Sequence, residues 1–181
     1  MEDIIKIETP LDDSVVESLK AGDKVAISGT IYTARDQAHK KLCEQIDAGK
    51  PLPIELAGSV IYFVGPTPPA EGKVIGSAGP TTSSRMDGFS PKLIAAGLKG
   101  MIGKGYRGDE VRDALKKYKA LHFAAIGGAG ALLSKHIVAA EVAAYEELGT
   151  EAIRRLVVKD FPAIVAYDSN GGNIYKLKIK D

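Results

Sequence analysis

Cysteine is nearly missing: among 181 residues Cys43 is the only one. It can form no intrachain disulfide, which fits a reducing compartment, and one thiolate cannot hold an iron–sulfur cluster. Any such cluster must sit on another chain. A surplus of charge is missing too, since 24 Lys and Arg face 23 Asp and Glu for a formal charge of +1. Without a basic stripe or tail to displace counterions from phosphates, nucleic acid is not an expected partner. No apolar run approaches the ~20 residues that span a bilayer, so no membrane association is expected. Residues 1–9 alternate acidic, apolar and basic side chains and lack the apolar core of a signal peptide, which gives a cytoplasmic expectation. No His, Cys and carboxylate spacing suggests a zinc site, and neither GxSxG nor a P-loop lysine motif is present. No metal ligands are therefore expected on this chain.

What remains is an ordinary globular balance, 45% hydrophobic and 26% charged. A chain of this length buries roughly two-thirds of its unfolded surface, so a core is expected within one domain, residues 1–181.

Periodicity and turn signals predict strands at residues 4–8, 24–33 (interrupted at Gly29), 59–64, 100–102, 121–126, 156–158 and 163–167. Helices are predicted for residues 12–19, capped by Asp12 or Asp13, and for 35–48, 86–96 and 109–118. Residues 65–79, rich in Pro and Gly, read as a loop with a short strand near Val74. Residues 132–148 are ambiguous, their alanines suiting a helix and Ile137-Val138 a strand. Asn170-Gly171 signals a hairpin turn before a last strand at 174–179. Strands and helices interleave, so the fold class is α/β with a mixed sheet.

Three segments at strand ends carry chemistry. In Tyr32-Thr33-Ala34-Arg35-Asp36, Arg35 precedes a helix, whose N-terminus favours anions, and His39 lies four residues on along the same face. The bland alternative is a surface Arg and a solvated His. In Gly79-Pro80-Thr81-Thr82-Ser83-Ser84-Arg85-Met86-Asp87, four hydroxyls end in a guanidinium fork suited to a carboxylate, or simply form a polar loop and cap. Gly103-Lys104-Gly105-Tyr106-Arg107-Gly108 satisfies GxGxxG, but the acidic residue expected ~20 positions on is absent, which argues against a dinucleotide site. Lys104 remains an anion contact. The run from Gly127 to Gly130 is either a close approach to a ligand or a tight turn. His122 and His136 read as structural.

In this order, and with Val64-Gly65-Pro66-Thr67-Pro68, Gly76-Ser77-Ala78-Gly79 and Asp160-Phe161-Pro162-Ala163, these segments resemble the β subunit of class I fumarate hydratases and related tartrate dehydratases. The resemblance covers nearly the whole chain and implies a swivelling β/β/α fold, a mixed sheet flanked by helices. It also implies a larger α subunit carrying a [4Fe-4S] cluster on its cysteines, a heterotetrameric assembly, and an active site between the two kinds of subunit. By the same resemblance Arg35 and Arg85 match carboxylate clamps, with Thr82 beside them. Lys104 matches a contact that offsets charge on the aci-carboxylate intermediate. Thr81 matches a catalytic base, and His39 a histidine of the tartrate branch. The resemblance implies reversible hydration of fumarate to malate, with L(+)-tartrate dehydration as the alternative. A binding module for small anions and a purely structural assembly subunit are the rivals.

Overall fold

The computed structural model describes residues 3–125 and 129–176. Five parallel strands come first: β1 (Ile5–Glu8), β2 (Lys24–Thr33), β3 (Val60–Tyr62), β4 (Gly100–Gly103) and β5 (Leu121–Ala124), adjacent in chain order. Parallel neighbours require crossovers. These contain α1 (Asp13–Ser18), α2 (Asp36–Asp47), α3 (Ser90–Ala95) and α4 (Asp109–Tyr118) in turn. Past α5 (Gly130–Leu133), β6 (Ile137–Ala144) leads into the long β7 (Ile153–Tyr167). β7 runs antiparallel to β5, β2 and β6, so β2, β3, β4, β5 and β7 close into a ring, with β1 and β6 outside it. The fold is a mixed sheet with flanking helices, as the resemblance implied.

Alternation along the strands divides the buried residues in two. Ile27, Ile31, Tyr62, Ile102, Phe123, Phe161 and Val165 join one cluster with Leu11, Val16 and Leu19 from around α1. Ile61, Phe63, Met101, Ala166 and Tyr167 meet the apolar faces of α2, α3 and α4 in the other. Local side chains favour the ends of α1 and α4. Asp12 caps α1 by accepting a hydrogen bond from Val15 N at 2.8 Å. α4 carries Asp109 and Glu110 in its first turn and Lys116 and Lys117 in its last, complementing its dipole.

The structure departs from the sequence expectations at five places. The strand breaks anticipated in β7 do not occur. Asp160 takes a left-handed φ of 48° opposite a register shift between Ile27 and Gly29, and Pro162 pairs in register with Ala26, so the strand continues through both. The helix expected at 86–96 is split into a 3-10 turn, Ser83–Met86, and α3, because Gly88 is a poor helix former and Pro91 fits only the first turn. Val74 lies in a bend, exposed, with no strand around it. The ambiguous stretch resolves into both forms, a helix ending at Leu133 and then a strand whose β-branched residues pair with β7. The turn at Asn170-Gly171 is present, closed by a bridge between Tyr167 and Asn173, but Ile174–Lys176 is a 3-10 turn. The expectations for residues 126–128 and 177–179 lie outside the described residues. Among the described residues no helix is long and apolar enough to cross a membrane.

Candidate active site

Three adjacent parallel strands end on one rim of the ring, and the loops that leave them carry the three segments singled out above. In open α/β sheets ligands gather at the carboxyl ends of strands. Here the strand order itself makes the loops after β2, β3 and β4 neighbours. The hydrogen bonds between them run Ala34 N to Tyr62 O at 3.1 Å, Thr81 N to Phe63 O at 2.7 Å, Lys104 N to Thr81 O at 3.3 Å and Ser83 N to Lys104 O at 2.8 Å. Thr82 and Lys104 form a parallel bridge outside the named strands. The intervening loop is closed on itself by Thr67, whose N bonds Ser77 O at 3.1 Å and whose Oγ1 accepts from Ser77 N at 2.8 Å.

Arg35 and Arg85 meet through Asp36. The Arg85 Nε donates to Asp36 Oδ1 at 3.1 Å, and Arg35 Nε lies 3.8 Å from Asp36 Oδ2. Arg35 Nε and Asp36 Oδ2 are each buried without a hydrogen-bond partner. Gly65 makes room for Arg35, since a Cβ there would stand 3.1 Å from its Nη1. Arg85, Thr82 and Lys104 are exposed, and Arg35 and Thr81 are half-buried. The structure thus brings Arg35, Arg85, Thr81, Thr82 and Lys104 to one open, cationic rim. Such forks and ammonium groups suit a carboxylate dianion.

His39 has a different place. Its ring is fully buried, edge-on to Phe63 at 5.2 Å and 6.1 Å from Phe89. Its Nδ1–H donates to Arg35 O at 2.8 Å, which leaves Nε2 as an acceptor with no partner. Burial pushes its pKa down to about 4, against the opposing effect of the bond to Arg35, so the ring is neutral. The solvated histidine of the bland alternative does not hold, since His39 is a core residue behind Arg35.

The residues that sequence reading passed over lie beneath the rim. Arg107 is 4% exposed. Its Nε donates to Asp87 Oδ1 at 2.7 Å, its Nη2 to Ser90 Oγ at 2.5 Å and its Nη1 toward Met101 Sδ and His122 Nδ1 at 3.4 and 3.2 Å. Because His122 Nδ1 accepts, its Nε2 carries the proton and donates to Ser83 Oγ at 3.2 Å. Burial, then the nearby Arg107 charge, hold His122 well below the usual imidazole range. His122 is buried, in line with a structural role. The glycines of GxGxxG differ in role: Gly103 packs against Ser83 and Phe63, Gly105 takes a φ of 83° in open space, and Gly108 N bonds Asp87 Oδ2 at 2.8 Å. A charged residue flanked by polar text gives no local sign that it will be buried, so Arg107 carried no signal of its own.

The donors on this chain do not fit a metal cluster. Cys43 is buried, with its thiol toward Phe89 O at 3.8 Å, and among the described residues no group of three or more His, Cys, Asp or Glu could hold a metal ion.

The model of the family described as Fumarase C-terminus matches residues 2–178. Fumarate hydratase 2 of Leishmania major is 37% identical over 175 residues, which are 94% of this chain and 31% of that protein. The aerobic class I fumarate hydratase of Escherichia coli K12 is 40% identical over 155 residues, 84% of this chain and 28% of that protein. A protein of Methanocaldococcus jannaschii assigned as L(+)-tartrate dehydratase subunit beta is 39% identical over 167 residues, 89% of this chain and 86% of that one. The chain therefore spans under a third of the first two relatives and most of the third. By its matched length and its relatives, the chain belongs to the Fumarase C-terminus family.

Proposed function

We propose that this chain is the β subunit of a two-subunit hydro-lyase that reversibly hydrates fumarate to malate, inactive without its α subunit. On this reading the α subunit holds a [4Fe-4S] cluster on its own cysteines, and the two assemble in the cytoplasm as a heterotetramer. The lone cysteine of this chain and its match to nearly the whole of a subunit named beta favour the division of labour. The observation that carries the reading is the shared rim: Arg35 and Arg85 joined by Asp36, with Lys104 bridged to Thr82.

Hydration of a dicarboxylate needs both carboxylates held, charge at one of them offset, and a proton moved at carbon. Arg35 and Arg85 hold carboxylates through their forks, with the Thr82 hydroxyl beside them. Lys104 offsets charge that builds on the aci-carboxylate. Thr81 Oγ1 moves the proton at carbon, a role that requires its acidity to be raised by the three cations around it. His39 touches no substrate from its buried position, and on this reading it supports the start of α2 through Arg35 O. L(+)-tartrate is the second substrate reading, since a tartrate dehydratase subunit is among the relatives.

The test is coexpression with the chain encoded beside it under anaerobic conditions, followed by assays of malate–fumarate interconversion and tartrate dehydration. Copurification of a cysteine-bearing partner with hydratase activity is expected. In that complex Arg85→Ala is expected to lower the rate at least ~100-fold, comparable to removing a key electrostatic group. Turnover close to the parent's would place Arg85 outside the reaction. Tight dicarboxylate binding by the isolated chain would favour a stand-alone anion-binding module instead.

A further inference from the structure

We infer that Asp87, half-buried, and Arg107, buried, form a cross-brace that fixes the spacing between Arg85 and Lys104, and so are positioning residues for the rim. Asp87 follows Arg85 by two residues, and Arg107 follows Lys104 by three. Their bond at 2.7 Å therefore ties the two cation-bearing loops together at a single depth below the rim. The second carboxylate oxygen of Asp87 takes Gly108 N at 2.8 Å, so the brace grips the far loop at two successive residues. A second path closes the frame: Arg107 to His122 at 3.2 Å, His122 to Ser83 at 3.2 Å, and Ser83 N to Lys104 O at 2.8 Å. Ser90, at the start of α3, receives the remaining arm at 2.5 Å. The Arg107 side chain is wholly buried and its guanidinium carbon lies 5.3 Å from the centre of the Phe63 ring.

Stability alone is a weak reason for such an arrangement. A buried ion pair costs heavily in desolvation, and its replacement by apolar groups of similar volume is often neutral or stabilising. What an apolar pair lacks is direction. The planar fork and the carboxylate hold one geometry, whereas methionine against leucine permits the loops to slide. The residues bearing Arg85 and Lys104 are otherwise tied by few bonds, the Thr82 bridge and the Ser83 and Lys104 amides. The brace fixes that short ladder from below.

The inference rests on the proposed function only where catalysis is concerned, and its test has a part that needs no activity. The double variant Asp87→Leu with Arg107→Met is made in the full chain, and amide hydrogen exchange is measured at Ser83 and Lys104 together with the thermal midpoint. Exchange at those two amides is expected to quicken at least ~10-fold while amides of β2 and β7 and the midpoint stay near the parent's. Unchanged exchange overturns the brace. Should the double variant fail to fold, Asp87→Asn, which keeps shape and removes charge, is expected to show the same local effect in smaller measure, and its absence overturns the brace equally. In the complex with the partner chain, the double variant is expected to raise KM for fumarate at least ~10-fold with a smaller change in kcat, and an unaltered KM would reduce the pair to a structural role. A parent complex without hydratase activity would defeat the proposed function and leave the brace to stand or fall on exchange.

Discussion

Rim and buried cations differ in how far the sequence announces them. Arg35 and Lys104 were legible because each closely follows an apolar strand run, where a chain leaves the core and exposes what it carries, and Arg85 because it ends a run of four hydroxyls. Arg107 and Asp87 were not, since the text around them is that of a solvent-exposed loop and only the tertiary fold turns them inward. His39 shows the same gap from another side. Helical spacing put it on the face of Arg35, but the identity of that face depends on Phe63 and Phe89, which lie far along the chain. Its burial has a measurable consequence. The unfolded imidazole titrates near 6.5 and the folded one near 4, so between these values only the unfolded chain takes up the proton. The contribution is complete above about pH 6.5 and drains as pH falls toward 4, where about 3 kcal/mol has been withdrawn. His122 acts with the same sign. His39→Leu is expected to flatten the fall in thermal midpoint between pH 6.5 and 4 while leaving activity of the complex within a few-fold. A steep loss of kcat in this variant would return His39 to the chemistry.

At the level of elements, the strands and helices with strong periodicity were read correctly, and two of the errors turn on local breakers. A local breaker was given its usual weight at Pro162, where pairing with β2 overrides it, and too little at Gly88 and Pro91, where no neighbouring strand supplies a partner. The end of β4 illustrates how tightly neighbouring segments are then fitted. A Cβ on Gly103 would lie 2.1 Å from Ser83 Oγ and 2.9 Å from Phe63. Gly103→Ala is expected to cost about 1–3 kcal/mol through overpacking, a fall in midpoint of roughly 2 to 12 °C for a chain of this size. Adding Ser83→Ala, which removes the nearest clashing oxygen, is expected to restore part of the loss in calorimetry. If nothing is restored, the strain resides in Phe63 or the strand itself.

For the molecule as a whole, ring closure was the least legible property. No local pattern reports that β7 will pair with both β5 and β2, the latter a contact between residues more than a hundred positions apart. The consequence is coupling of the two apolar clusters, because each strand of the ring contributes alternate residues to one or the other. Phe161→Ala opens a cavity in the first and Leu115→Ala in the second, each expected to cost about 2–5 kcal/mol. Both are expected to lower the midpoint of one shared urea transition, detected alike by circular dichroism and by tyrosine fluorescence. Two separable transitions would mean that the clusters unfold independently.

The rim also bears on how such a protein changes over generations. Since the ladder through Thr81, Ser83 and Lys104 is closed, insertions or exchanges between Gly65 and Gly79 alter a surface segment without renegotiating strand pairing. A lineage can thereby vary that segment on an inherited frame.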